Sequence, residues 1–296
     1  LTAMAFFHFR AMNADFQVIE VGLGGRLDAT NLVKPIVTVV TPVGLDHVAV
    51  LGDTVAKIAC EKAGIIKPGV PVVMGPQPGA AHRVIVETAS RRGADLHDAL
   101  TEISLCETVR PHTPSATQSV TLAGLLGQYD LELPLLGSHQ VDNARVAVST
   151  LEVLHRTGVD IDPAAVATGI RSVEWPARVQ VLSFDHPVIV VDGAHNADAA
   201  SALVRTLRDL FPQRRRVILI FGGSGGHDFA ATARQLASLE PMLIATRSRH
   251  PKAVPAEAVA RALIGDNVPI VAVTQNSKDA LAAATAQAAP GDIIVA

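Results

Sequence analysis

From Val188 to the last residue the chain repeats one pattern: a short apolar run, a glycine or polar turn, then a stretch with apolar residues at helical spacing. The runs are VIVVDGAHN, RVILIFGG, PMLIATRS, VPIVAV and DIIVA, all rich in β-branched residues. Short unbroken apolar runs suit strands buried on both faces, and helices between successive strands require a parallel sheet. The pattern predicts a three-layer, Rossmann-like domain. Its helices end at Leu210 or fall near residues 229–239, 256–263 and 277–288.

The first ninety or so residues predict a related α/β order. FQVIEV (residues 16–21) reads as a strand ending at glycines, which would put Glu20 at the carboxyl end of a buried strand, where open α/β sheets bind ligands. Strands are predicted over 36–41 and 70–74, with helices over 53–64 and 80–91. Between Ala94 and Leu136 the texture changes. ISLCETV, SVTLAG and YDLELPL alternate polar and apolar residues between Pro, Ser, Thr and Gly, which predicts a small antiparallel meander. Helices then follow over 141–154 and 163–170. Pro176 interrupts SVEWPARVQVLS, and a new alternation starts at once, so the expected domains are residues 1–173 and 174–296.

Composition excludes several function classes. A net charge of −3 and 3% aromatics offer neither a basic footprint nor stacking platforms for nucleic acid. No apolar run reaches the roughly 18–20 residues of a membrane span. Cys60 and Cys106 have no metal-ligand spacing, so a reducing cytoplasmic setting is expected.

Two glycine loops invite a phosphate reading and fail it. In GLGGRL, Leu27 occupies the third glycine position of the dinucleotide fingerprint, and FGGSGGHDF lacks the Gly-Lys-Ser/Thr ending of a Walker loop. Taken singly, Glu20 could be a surface carboxylate, His47 a structural histidine and Lys62 a solvated helix residue. Asn143 could pin a helix and Arg178 could make an interdomain ion pair. As a set, Glu20 and His47 offer the few oxygen and nitrogen donors that Mg²⁺ accepts beside water and phosphate oxygens. Asp192 and His195 follow a buried strand and open into a helix, a favourable place for a ligand.

EVGLGGRLDATN, GLDH, EKAGIIKPG, GSHQVDNA, WPAR and VDGAHN, in this order, resemble the folylpolyglutamate synthase and dihydrofolate synthase branch of the Mur ligases. The resemblance covers almost the whole chain. It implies a Mur-type central α/β domain followed by a Rossmann-like domain, with the reaction in the cleft between them. It also implies MgATP-dependent phosphorylation of a carboxylate, followed by attack of the amino group of L-glutamate on the acyl phosphate. The acceptor would be dihydropteroate or the glutamate tail of a reduced folate, and the enzyme a monomer. By resemblance Glu20 and His47 are Mg²⁺ ligands, and Lys62 is a carbamylated catalytic lysine. Leu27, Asp28 and Ala29 contact the pteroate, and Asn143, Arg178 and Asp192 contact ATP. His195 lies near the incoming glutamate or the phosphates.

The chain departs from the pattern in four places. Ala177 stands where the family commonly has glycine, and FGGSGGHDF keeps only Asp228 of a usual Asp-Lys-Asp run. The family's phosphate loop and pterin loop are not present, and the final strand stops before the usual Gly-Ser. With LTAMAFFHFRAM at one end and GDIIVA at the other, the expectation is a fragment truncated at both ends and inactive alone. Alternatives are another Mur-type amino-acid ligase or a non-catalytic remnant. A nicotinamide oxidoreductase is disfavoured by the failed fingerprint.

Overall fold

The computed structural model describes residues 1–109, 117–225, 228–264 and 268–296. These divide into two compact units. The first comprises Leu1–Ser104, Gly124–Leu126 and Arg145–Ile161, and the second comprises Leu105–Ala123, Gly127–Ala144 and Asp162–Ala296. Among the described residues no helix is long and apolar enough to cross a membrane.

The first unit opens with α1 (Thr2–Ala11), which buries no residue. β1 (Thr38–Val40), α2 (Val48–Leu51), α3 (Val55–Ala63), β2 (Val72–Met74), α4 (Gly79–Arg92), β3 (Leu96–Asp98) and α5 (Ala99–Glu102) follow. β1, β2 and β3 form a parallel sheet in that order. Successive β2 side chains face opposite layers, as the pleat dictates. Val72 and Met74 pack with Ile58 and Ala63 of α3 and Ile85 of α4, whereas Val73 packs with Val146 and Val153.

The predicted strand over 16–21 is corrected. Those residues form no strand and pair with none among the described residues, and Val18 is 94% exposed. An apolar, β-branched run becomes a strand only when a neighbour takes up its backbone groups. Glu20 is therefore exposed beside an unpaired segment, not at a buried strand end.

β4 (Ser104–Val109), β5 (Gln118–Gly124) and β6 (Gly127–Leu133) form the expected meander, each next to its sequence neighbour. α6 (Ser138–Arg156) and α7 (Pro163–Arg171) follow. The Asp162 side chain caps α7 by accepting the Ala164 N–H, with Pro163 in the first turn, where its missing N–H costs nothing.

The second unit continues with β7 (Gln180–Ser183), β8 (Val188–Val191), α8 (Ala197–Leu210), β9 (Arg216–Phe221), α9 (Phe229–Ala237) and β10 (Met242–Ala245). α10 (Ala256–Ile264), β11 (Ile270–Val273), α11 (Ser277–Gln287) and β12 (Asp292–Val295) complete it. Strand order is β11-β10-β9-β12-β8-β7, parallel except for β7 on β8. Side chains alternate between two helical layers. Val217, Leu219, Leu243 and Ile293 pack with Leu203 of α8 and Leu236 of α9, while Ile218, Ile244 and Ile294 meet Ala280 and Ala284 of α11. This is the three-layer arrangement the sequence pattern predicts.

Candidate functional site

Asp192 lies immediately beyond β8, at the carboxyl edge of the parallel sheet. Its Oδ1 accepts the Ala194 N–H and its Oδ2 accepts the Val179 N–H, both at 2.8 Å. The segment holding Arg178 is thereby tied to the strand end, and the Gly193 N–H adds a bond to the Ala177 oxygen at 2.9 Å. Ala177 (φ 57°) and Val179 (φ 47°), either side of Arg178, are both left-handed, a conformation that opposes a Cβ and especially a β-branched one. Such strain persists only where the surroundings over-determine it, and it concentrates at functional sites. Here Val179 is 2% exposed within the core, and its N–H is held by Asp192.

Above this turn is a cavity of about 330 Å³ whose lining includes His139, Asn143, Trp175, Arg178, Asp192 and Leu203. The structure thus gathers Asn143, Arg178 and Asp192, the three residues expected to contact ATP, around one space. His195 does not line it; its ring Nδ1 is 3.0 Å from the Gly193 oxygen, and the side chain is exposed. His139, Gln140 and Trp175 line the cavity without having been assigned a role from sequence. They sit inside GSHQVDNA and WPAR, and that membership was the available signal. Burial pushes the His139 imidazole below its ordinary pKa. Asp192 opposes this, while Arg205 and Arg178 reinforce it.

The loop FGGSGGHDF contributes less than its glycines suggest. Gly226 and His227 lie outside the described residues, and Asp228 caps α9 by accepting the Ala231 N–H.

In the first unit, the motifs containing Gly25 and Gly64 form one interlocked piece. The Arg26 N–H donates to the Glu61 oxygen at 2.8 Å, and the Arg26 guanidinium pairs with the Glu61 carboxylate at 3.0 Å. Asn31 Nδ2 donates to the backbone oxygens of Arg26 and Gly64, and the Lys67 ammonium donates to both Asn31 oxygens at 2.7 Å. A Cβ on Gly25 would lie 3.0 Å from the Glu61 oxygen, so only glycine admits this approach. Asp28 shapes the loop: it accepts the N–H groups of Gly22, Leu23 and Thr30 and the Thr30 hydroxyl. The Thr30 hydroxyl is foremost in holding its carboxyl below the ordinary range. Leu27 and Ala29 are exposed beside it.

Lys62 is half-buried in the last turn of α3. His47 is exposed, with φ 50°, and its N–H donates to Asp46 Oδ1 at 2.7 Å. Among the described residues no three His, Cys, Asp or Glu side chains gather as a metal site. Glu20 and His47 nevertheless suit a cation that takes one or two protein donors and completes its sphere from water and phosphate, as Mg²⁺ does.

Comparison with known proteins defines the class. Residues 177–296 match the family model described as Mur ligase, glutamate ligase domain. Over 258 residues the chain is 35% identical to folylpolyglutamate synthase of Lacticaseibacillus casei, covering 86% of this chain and 59% of that protein. The solved structure of Mycobacterium tuberculosis folylpolyglutamate synthase complexed with ADP and AMPPCP superposes with a TM-score of 0.88 at 32% identity. That match covers 99% of this chain and 68% of the other. E. coli FolC in complex with DHPP and ADP gives a TM-score of 0.78 at 31% identity, covering 93% and 61%. The chain spans 59% and 60% of the length of the L. casei and M. tuberculosis relatives and 50% of that of Bacillus subtilis. It is a Mur-type ligase chain in its fold and in the family match of its second unit. Within that class, it belongs to the folylpolyglutamate synthase/dihydrofolate synthase family.

Proposed function

We propose that this chain is part of an ATP-dependent amide ligase. The enzyme would add L-glutamate to dihydropteroate, to folate glutamate tails, or to both, through an acyl phosphate. The observation carrying this reading is the convergence of Asn143, Arg178 and Asp192 on one cavity, in the unit that matches the glutamate ligase model. Nucleotide complexes of similar proteins, and the DHPP and ADP bound by E. coli FolC, support it.

In this reading ATP occupies the second-unit cavity. The γ-phosphoryl passes to an acceptor carboxylate, the glutamate amine attacks the acyl carbon, and phosphate leaves with the C–O bond. Arg178 places a fixed positive charge where negative charge grows, an arrangement effective because it is already oriented. Asp192 accepts hydrogen bonds from the nucleotide while holding the Arg178 turn. His195 binds the incoming glutamate or the phosphates. Leu27 and Ala29 frame the pteroate, with Asp28 fixing their loop. Mg²⁺ at Glu20 and His47 would neutralise phosphate charge when bound. Lys62, carbamylated, would exchange an ammonium for a carboxylate-like group suited to a cation.

The domain boundary is placed near residue 173, in keeping with a family match that begins at 177. The enzyme is read as a cytoplasmic monomer. No Walker loop occurs among the 296 residues, so these residues alone are read as binding nucleotide without turnover. ATP-dependent glutamate addition by this chain alone would overturn that last reading. The central test is calorimetric titration with ADP. Binding weakened at least tenfold by Arg178→Ala and Asp192→Ala is expected, roughly the value of one charge-assisted hydrogen bond. No ADP binding by the native chain would overturn the nucleotide assignment.

A further inference from the structure

Where β1 leaves its sheet, one side chain stands in for a neighbouring strand. The Gly75 N–H donates to the Val40 oxygen at 2.9 Å and so prolongs the pairing of β1 with β2. Beyond it Pro42 has no N–H to give, and the chain turns into the core at Val43, which is 2% exposed. Gln77 spans this break. Its Oε1 accepts the Val43 N–H at 3.1 Å, and its Nε2 donates to the Thr41 oxygen at 2.9 Å and more weakly to the Val40 oxygen at 3.4 Å. Every partner is a backbone group of fixed polarity. Turning the amide over would set its NH₂ against an N–H and its oxygen against two carbonyls, so the direction of Gln77 follows from the main chain.

The clamped segment is confined from its other sides as well. A Cβ on Gly75 would lie 3.4 Å from Pro42 Cδ and 3.1 Å from Val146 Cγ2, so the exit of β2 runs close against Pro42. Val43 belongs to the core cluster of Ile58 and Ala59 from α3. Only Gly44, Leu45 and Asp46 separate that anchor from His47. His47 is itself held left-handed: its N–H meets Asp46 Oδ1, and its oxygen accepts the Val50 and Leu51 N–H groups at 2.9 and 3.0 Å. Thr41 and Pro42 are exposed, so water could replace the bond to the Thr41 oxygen at little cost in stability. Water could not fix where the loop runs.

We propose that Gln77 is a positioning residue that fixes the β1 exit loop and thereby holds the His47 imidazole in place for a divalent cation. This rests on the reading of His47 as a cation donor and goes beyond it by naming what orients that donor. Removing a group that orients a metal ligand changes metal affinity by about 10–100-fold, and the low end applies here because Gln77 acts through the loop backbone.

The test follows the His47 ring by NMR while Mn²⁺, a paramagnetic substitute for Mg²⁺, is added to the native chain and to Gln77→Met. That variant keeps the length of the side chain and removes its hydrogen bonds. It should need about tenfold more Mn²⁺ to broaden the His47 resonance, with a urea midpoint close to native. A purely structural Gln77 would give the reverse, a lower midpoint with the Mn²⁺ requirement unchanged, and would overturn the proposal. In the native chain, hydrogen exchange should find the Val43 amide protected; free exchange there would mean that the clamp does not exist. If Gln77→Met does not fold, Gln77→Asn, one methylene too short to reach both ends, should show the same loss. No broadening of the His47 ring in the native chain would overturn the cation reading of His47 and this inference with it. Equal Mn²⁺ requirements in the native chain and the variant would overturn the inference alone.

Discussion

The carboxylate of Asp192 accepts the backbone N–H of Val179 at 2.8 Å, so a residue expected to meet the nucleotide also secures the turn that presents Arg178. Tying the two roles to one side chain is effective because the turn is strained, with Ala177 and Val179 both left-handed.

Ala177→Gly should relieve part of that strain, since glycine alone accepts φ 57° without a Cβ penalty. A gain of about 0.5–1 kcal/mol is expected, read as a higher urea midpoint with an unchanged slope. A lower midpoint would contradict the strain account.

Gly64→Ala should be costly although Gly64 has ordinary helical geometry, with φ −61°. Its Cβ would lie 2.6 Å from Arg26 Cα, so the whole glycine loop would have to lift from the end of α3. Overpacking of this kind costs roughly 1–3 kcal/mol. Hydrogen exchange should show faster amide exchange at Arg26, whose N–H is bonded to the Glu61 oxygen in the native chain. Native-like protection at Arg26 would refute the interlock.

Asp292 is fully buried and bound by Arg215 at 3.0 Å and Arg216 at 2.8 Å. Burial would raise its pKa, but the Arg216 and Arg215 hydrogen bonds and the Ala289 N–H outweigh it and hold the carboxyl far below its ordinary value. Its folded-state pKa being depressed, its contribution is complete above the ordinary value of 3.8 and is lost as pH falls below that. Asp292→Asn should cost roughly 3 kcal/mol at pH 7, the low end for a broken buried pair because both arginines keep some contact with water. The deficit relative to the native chain should shrink below pH 4. A constant deficit across that range would mean the charge is not what matters.

His139 gives the opposite kind of pH signature from an ordinary paired histidine. Its folded pKa is depressed, so below the ordinary value of 6.5 the unfolded chain takes up a proton before the native one does. Stability should therefore decline as pH falls from 7 toward 5, and His139→Phe should flatten that decline. An unaltered slope in the variant would assign the loss to other groups.

The second unit was legible because each of its buried strands is its own signal. Neighbours such as Ile218 and Leu219, or Ile293 and Ile294, put apolar side chains on both sides of the pleat, and the runs end at turns. β3 and β7 were not recognised as strands. LHD is three residues with two polar ones, and QVLS lies in the segment read as a domain boundary. The run over 16–21 failed in the other direction, since its composition suits a strand but pairing is a property of the neighbour. At the site, resemblance located Asn143, Arg178 and Asp192, and the structure places them around one cavity. It could not reveal the left-handed turn at Ala177 and Val179, which depends on backbone dihedrals that spacing does not encode.

β12 sits between β8 and β9 in the sheet and pairs with both. The register that joins Ile293 to Val188 therefore closes a loop of roughly a hundred residues. Until that closure the two halves of the sheet remain separate, each with an open edge able to capture a strand from another molecule. Folding of this unit should accordingly be slow for its size and all-or-none, with aggregation competing most strongly just before the central ladder zips shut.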